Sequence, residues 1–78
     1  MFWVYAHKSL HKTYLYVGTT NDLKRRVAEH NFGYSKITKP YRPFVLIYSE
    51  QLSTRAEARN REKYLKSGAG KEFLKRLF

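Results

Sequence analysis

Two runs near the start of the chain, residues 2–8 and 13–18, are rich in aromatic and β-branched side chains. The short polar stretch Ser9-Leu10-His11-Lys12 separates them. Two such runs with a short connection predict an antiparallel hairpin. Side chains alternate across a strand, so Trp3 and Tyr5 share one face of the first strand. Tyr14 and Tyr16 share one face of the second, and Val4, Leu15 and Val17 take the opposite faces. The hairpin should therefore have a phenolic side. Gly18 should end the second strand, with Thr20 or Asn21 capping a helix that runs to about His30. Leu23, Val27 and His30 recur there at helical spacing, with Arg26 at i+3 from Leu23.

Asn31 to Pro43 holds Gly33, Pro40 and Pro43 and reads as a long loop. Phe44-Val45-Leu46-Ile47-Tyr48 is continuously apolar and predicts a central, buried third strand. Thr54 and Glu57 have capping-box spacing and open a second helix. That helix should continue to about Ser67, where Gly68 stops it. Ala58, Glu62 and Leu65 share one of its faces. A last helix is expected from Gly70 to Leu77, with Phe73, Leu74 and Leu77 as its apolar side. The fold class that results is α+β: a small three-stranded, mostly antiparallel sheet flanked by helices, in the order ββαβαα. No repeat, linker or low-complexity tract divides the 78 residues, so 1–78 reads as a single domain.

Composition adds two constraints. With 42% hydrophobic and 17% aromatic residues, a small core can form. Cysteine is absent, which removes disulfides and thiolate–zinc sites and fits a reducing, cytoplasmic setting. No apolar run approaches the ~20 residues needed to span a bilayer. The short apolar start, Met1 to Tyr5, lacks a preceding basic region and does not read as a signal peptide. Charge changes the picture more. Sixteen Lys and Arg against six Asp and Glu give a formal net charge of +10. A chain this basic repels itself when compact, and a polyanion is the partner that compensates.

Three charged or titratable residues break the pattern of apolar inside and polar outside. Arg26 and His30 fall on the stripe of Leu23 and Val27, and Glu62 falls on the stripe of Ala58 and Leu65. Such groups face a core only when paired, liganded or at its open edge. Each also fits at the stripe's margin with its head in water. Glu62 fits equally as an ion-pair partner of Arg26 or Arg59. The tyrosines, taken singly, fit as packing.

The order of motifs is more specific. Trp3-Val4-Tyr5, ten intervening residues, then Tyr16-Val17-Gly18 resembles the paired motif of the GIY-YIG nucleases, with Trp3 standing where that motif has glycine. Thr19 to Val27 resembles the family's turn and helix, with its arginine at Arg26 and a histidine four residues later at His30. Gly33-Tyr34-Ser35-Lys36-Ile37-Thr38 resembles its glycine-serine-threonine loop, and Arg42 to Leu46 the entry to the third strand. Ala58 to Lys66 resembles the helix that bears the metal-binding glutamate, here Glu62. The resemblance covers nearly the whole chain. It is similar to small stand-alone bacterial members and to the nuclease module of the excision-repair incision subunit. Two features depart from the family: no Asn follows Asn60, and position 19 is Thr where repair members tend to have lysine.

The resemblance implies a DNA endonuclease with Tyr5, Tyr16, Arg26, His30 and Glu62 as its catalytic set. Glu62 would be the ligand of a single Mg²⁺ or Mn²⁺ ion, which keeps most of its waters. Arg26 would fork onto phosphate oxygens. Tyr16 would orient or deprotonate the water, Tyr5 would serve as a second phenol in hydrogen-bond reach, and His30 would relay a proton or hold a phosphate. For duplex or branched DNA, Lys36, Lys39 and Arg42 on the long loop are the candidate contacts, with Tyr34 and Tyr41 as stacking groups. Arg55, Arg59, Lys63 and Lys66 on the second helix join them. Nothing resembles a recognition helix, so little sequence preference is expected, and there is room for a partner protein that supplies specificity. Monomer and weak dimer both stay open. Two other readings compete: a catalytically inactive nucleic-acid-binding module, and a basic RNA-associated protein.

Overall fold

The two aromatic runs become β1 (Phe2–Ser9) and β2 (Leu15–Thr20), paired antiparallel. α1 (Leu23–Phe32) follows, then a short 3-10 turn at Lys39–Tyr41, β3 (Phe44–Leu52), α2 (Arg55–Lys66) and α3 (Gly68–Lys75). This computed structural model describes residues 1–33 and 36–78. Its class is the predicted one, α+β in the order ββαβαα, and the sheet is antiparallel throughout.

The sheet order is β2-β1-β3. This corrects the expectation of a central third strand: β1 is central and β3 lies at an edge. The continuous apolar run of β3 has another cause. The register shifts between Ala6 and His7, passing from Tyr48 to Leu46. Such a bulge lets two successive residues face one side. Ile47 and Tyr48 accordingly both pack on the core, while Val45 and Leu46 stay exposed.

Each element end follows a local cause. β2 does not stop at Gly18 but runs to Thr20. Gly18 sits across from Tyr5, and a Cβ there would lie 2.9 Å from the Tyr5 hydroxyl and 2.9 Å from the Tyr16 ring. Its glycine serves close approach, not termination. α1 is capped by Asp22, whose side chain accepts from the Arg25 N–H, rather than by Thr20 or Asn21. It runs two residues past His30, to Phe32, and closes on Gly33 in the left-handed region. The Thr54–Glu57 capping box of α2 forms as predicted. Ser67 both closes α2 and caps α3, so Gly68 begins a helix instead of ending one.

The two faces of the sheet differ in kind. Val4, Ala6 and Val17 meet Leu65 of α2 and Leu74 of α3 in the apolar core. The other face carries Tyr5, His7 and Tyr16, against His30 of α1 and Phe44 of β3. The phenolic side expected from alternation is this face. Among the described residues no helix is long and apolar enough to cross a membrane.

Candidate active site

On the phenolic face a buried chain of hydrogen bonds crosses three elements. The Tyr5 hydroxyl lies 3.0 Å from His30 Nε2, and His30 Nδ1 lies 2.8 Å from Thr38 Oγ1. All three side chains are fully buried. Burial pushes the Tyr5 phenol up to about 12, and Tyr16 adds to the rise while Arg26 opposes it. Burial likewise holds His30 down at about 4, helped by the Arg26 charge. Both groups are therefore neutral at pH 7. As a neutral imidazole, His30 donates through one ring nitrogen and accepts through the other, and the Tyr5 and Thr38 hydroxyls complement it.

Arg26 comes from α1 and stands in front of this chain. Its Nη1 donates to Glu29 Oε1 at 3.2 Å, an i,i+3 pair that fixes the side chain's direction. Its guanidinium also bears on Tyr5 and Tyr16. Burial works against its charge, but Glu29 and the two phenols outweigh burial and hold its pKa above the ordinary arginine value. Tyr16 is half-buried, with its ring 4.7 Å from that of His30 and 6.2 Å from that of Tyr5. Glu62 comes from α2 with its side chain about a quarter exposed, and its negative charge helps to raise Tyr5. Its ion-pair partner is Lys66 at 3.1 Å, not Arg26 or Arg59.

The five expected side chains thus form two layers. Tyr16, Arg26 and Glu62 reach water, while Tyr5 and His30 lie beneath them. Tyr5 spends its hydroxyl on His30 rather than on Tyr16. His30 has both nitrogens engaged and no exposed surface. Among the described residues of the site, Glu29 is tied to Arg26 and Glu62 is the carboxylate that is not. Among the described residues no group of three or more His, Cys, Asp or Glu could hold a metal ion. One hard, half-buried oxygen donor fits an ion that keeps its own waters, as Mg²⁺ does.

Three residues of the site were not anticipated as such. Thr38 lies in the loop whose motif was recognised, but its bond to His30 has no signature in the sequence. Glu29 was open to discovery through its i,i+3 spacing from Arg26. His7 was open to it through alternation, being two residues from Tyr5 on the same face. His7 stacks on Phe44 at 4.1 Å and meets His30 edge-on at 4.7 Å. Neither of its ring nitrogens has a hydrogen-bond partner among the described residues.

The expected nucleic-acid contacts are all exposed: Lys36, Lys39, Arg42, Arg55, Arg59, Lys63 and Lys66. Arg42 donates to the Phe32 carbonyl at 3.1 Å and so ties the loop to α1. Arg55 sits over the Phe2 ring at 5.3 Å. Tyr41 does not present a free ring, because it stacks on Tyr14 at 3.9 Å. Tyr34 lies outside the described residues.

Comparison with known proteins identifies the family. A family model described as the GIY-YIG catalytic domain matches residues 1–75. The chain is similar to a UPF0213 protein of Halobacterium salinarum, 42% identical over 77 residues, spanning 95% of this chain and 99% of that protein. It is similar to a UPF0213 protein of Staphylococcus haemolyticus, 41% identical over 64 residues, spanning 81% of this chain and 78% of that protein. The UPF0213 protein YazA of Bacillus subtilis is 50% identical over 52 residues, spanning 65% of this chain and 52% of that protein. No solved structure matches.

Proposed function

The chain belongs to the GIY-YIG family, and from that premise we propose that it is a metal-dependent endonuclease that hydrolyses DNA phosphodiesters with little sequence preference. One observation carries the reading: the rings of Tyr5 and Tyr16 lie 6.2 Å apart on one sheet face, with His30 bonded to Tyr5, and the charges of Arg26 from α1 and Glu62 from α2 both act on that face. A cation, a phenol open to water and a half-free carboxylate are brought together from three elements. A packing role requires none of this.

Each residue has a task that its surroundings favour. Tyr16, half-buried and open to water, orients the attacking molecule and takes its proton. The water oxygen bonds to phosphorus as the ester bond to the leaving oxygen breaks, and that oxygen takes a proton from solvent. Arg26 has donors left beyond its bond to Glu29 and meets the non-bridging oxygens where charge develops. Glu62 would hold a single Mg²⁺ or Mn²⁺, which when bound supplies Lewis-acid stabilisation of the phosphoryl group. Tyr5 and His30 are positioning residues: the buried chain through Thr38 fixes the phenol that Arg26 leans on. Duplex or branched DNA as substrate, cytoplasmic DNA processing such as incision in repair, and a partner protein for specificity belong to the same proposal.

The test is nicking of supercoiled plasmid with Mg²⁺, Mn²⁺ or EDTA. Glu62→Ala should lose at least about a hundredfold of the metal-dependent rate, in line with the loss of one charge-stabilising group. Its circular dichroism spectrum should stay as in the parent. Undiminished cleavage by that variant overturns the site. DNA binding by the parent without nicking in any ion would leave a binding module.

A further inference from the structure

A basic groove leaves the site along the free edge of β2. β2 is a sheet edge, so one side of its backbone faces outward. Next to Tyr16 a hollow of about 330 Å³ is lined by Tyr14, Tyr16, Lys66, Lys71 and Leu74 among others. A second hollow of about 640 Å³ shares Tyr14, Leu15 and Lys71 with it and extends to Lys8, Lys12, Lys75 and Phe78. The two make one continuous path between the hairpin and α3. Among the described residues five lysines line it and no Asp or Glu does. The neighbouring acids are Glu62, paired with Lys66, and Glu72, 3.7 Å from Lys75. Lys71, on the shared stretch, is exposed.

Aromatic rings lie along the same path. Phe78 is 55% exposed, with Lys8 Nζ 5.2 Å from its ring centre. Tyr14 lies between the two hollows and is braced from behind by Tyr41. Alternating ammonium groups and ring faces suit an unpaired strand, whose phosphates meet the lysines and whose bases stack on the rings. A fully paired duplex offers the phosphates but hides its base faces.

We infer that the groove from Tyr16 to Phe78 holds a single-stranded arm of the DNA substrate, leading away from the phosphate that is cut. The inference rests on the proposed nuclease reading and deepens it: the substrate class becomes DNA with an unpaired segment. None of the groove's lysines except Lys66 was among the contacts expected from sequence.

The test uses the full chain in EDTA, so that binding is read without cleavage, with a labelled single-stranded oligonucleotide and a blunt duplex of equal length. Lys71→Gln/Lys75→Gln should bind the single strand about tenfold more weakly. Its log–log salt dependence should flatten by about 1.4, the value for two lost phosphate contacts on a single strand. Lys24→Gln/Arg25→Gln removes the same charge from exposed positions on α1 and should change affinity less than twofold. Phe78→Ala should weaken single-strand binding about fivefold, as expected for one lost stacking surface, and leave the duplex unchanged. A groove variant that binds no worse than the α1 control overturns the inference. Equal losses on blunt duplex and single strand overturn the assignment to an unpaired arm. Groove failure with Glu62-dependent nicking intact removes this inference alone. An intact groove without nicking removes the nuclease reading and the cut phosphate with it, and leaves the groove as a single-strand binding site.

Discussion

His7 is the residue at which the site and the stability of the fold conflict. It is fully buried, and its imidazole nitrogens have no partner among the described residues. Burial is the main cause that holds it down at about 3, with the nearby His30 and Arg26 adding to the effect. His30 is held down at about 4. The ordinary value is 6.5, so between pH 6.5 and 3 the unfolded chain binds more protons than the folded one. Stability contributed by the neutral imidazoles is full above pH 6.5 and is lost as pH falls through this window. His7→Leu removes one of the two groups and replaces a dry polar ring with an apolar side chain. It should raise stability at pH 7 by about 1–3 kcal/mol, the usual cost of an unsatisfied buried polar group, and move acid unfolding to lower pH. Urea midpoints at pH 7 and pH 5 measure both; a larger loss between the two pH values in the variant than in the parent would contradict the account. At this scale the sequence is unevenly legible. Arg26 and Glu62 stood out because charge on an apolar stripe needs a reason. His7 was as visible by alternation, but among so many aromatics a lone imidazole looks like packing. Thr38 could not be found, since a bond between residues eight apart leaves no periodic trace.

Between residues and the whole stand the strands, and there the apolar pattern misled in an instructive way. A run of five apolar residues predicted a strand buried on both faces, and β3 instead lies at the edge. A bulge, which needs the partner strand to be seen, turns Ile47 and Tyr48 to the same side. Gly18 misled in the opposite sense. It looked like a stop, yet β2 continues through it because Tyr5 on the paired strand lies against the space a side chain would fill. The helices were more legible, since their caps and stripes are local, and the Thr54–Glu57 box formed as read. Strand pairing thus sets the distance between the two phenols through a missing side chain. Gly18→Ala should push the Tyr5 hydroxyl and the Tyr16 ring apart. Nicking should fall about tenfold or more, since small misplacements at a reacting centre are costly, while the thermal midpoint drops by only a few degrees. Parent-like nicking would mean that the spacing of the phenols is not what the glycine protects.

For the whole molecule, the net charge of +10 acts on folding and on substrate with opposite signs. Inside the folded chain, few acids offset it, and several are spent on single cations: Glu29 on Arg26, Glu62 on Lys66, Glu50 on Arg61. The remaining cations repel one another across a body whose principal extents are 31 × 26 × 18 Å. At these dimensions a Debye length of about 10 Å at 0.1 M salt leaves much of that repulsion unscreened, and about 3 Å at 1 M removes it. Added monovalent salt should therefore raise the thermal midpoint of the free protein by several degrees. The same salt competes with lysines and arginines for phosphates, so DNA affinity should fall by about 10³ or more between 50 and 200 mM if six or more phosphates are held. DNA at a hundredfold excess over its dissociation constant should in turn stabilise the fold by about 2.7 kcal/mol at low salt, and this gain should vanish at high salt. Thermal melts with and without DNA across a salt series read both responses at once. The melting curves of free and bound protein should converge from opposite directions. If salt lowers the midpoint of the free protein as well, the excess of positive charge is not what opposes folding, and the ion pairs around the site matter more than the unpaired lysines.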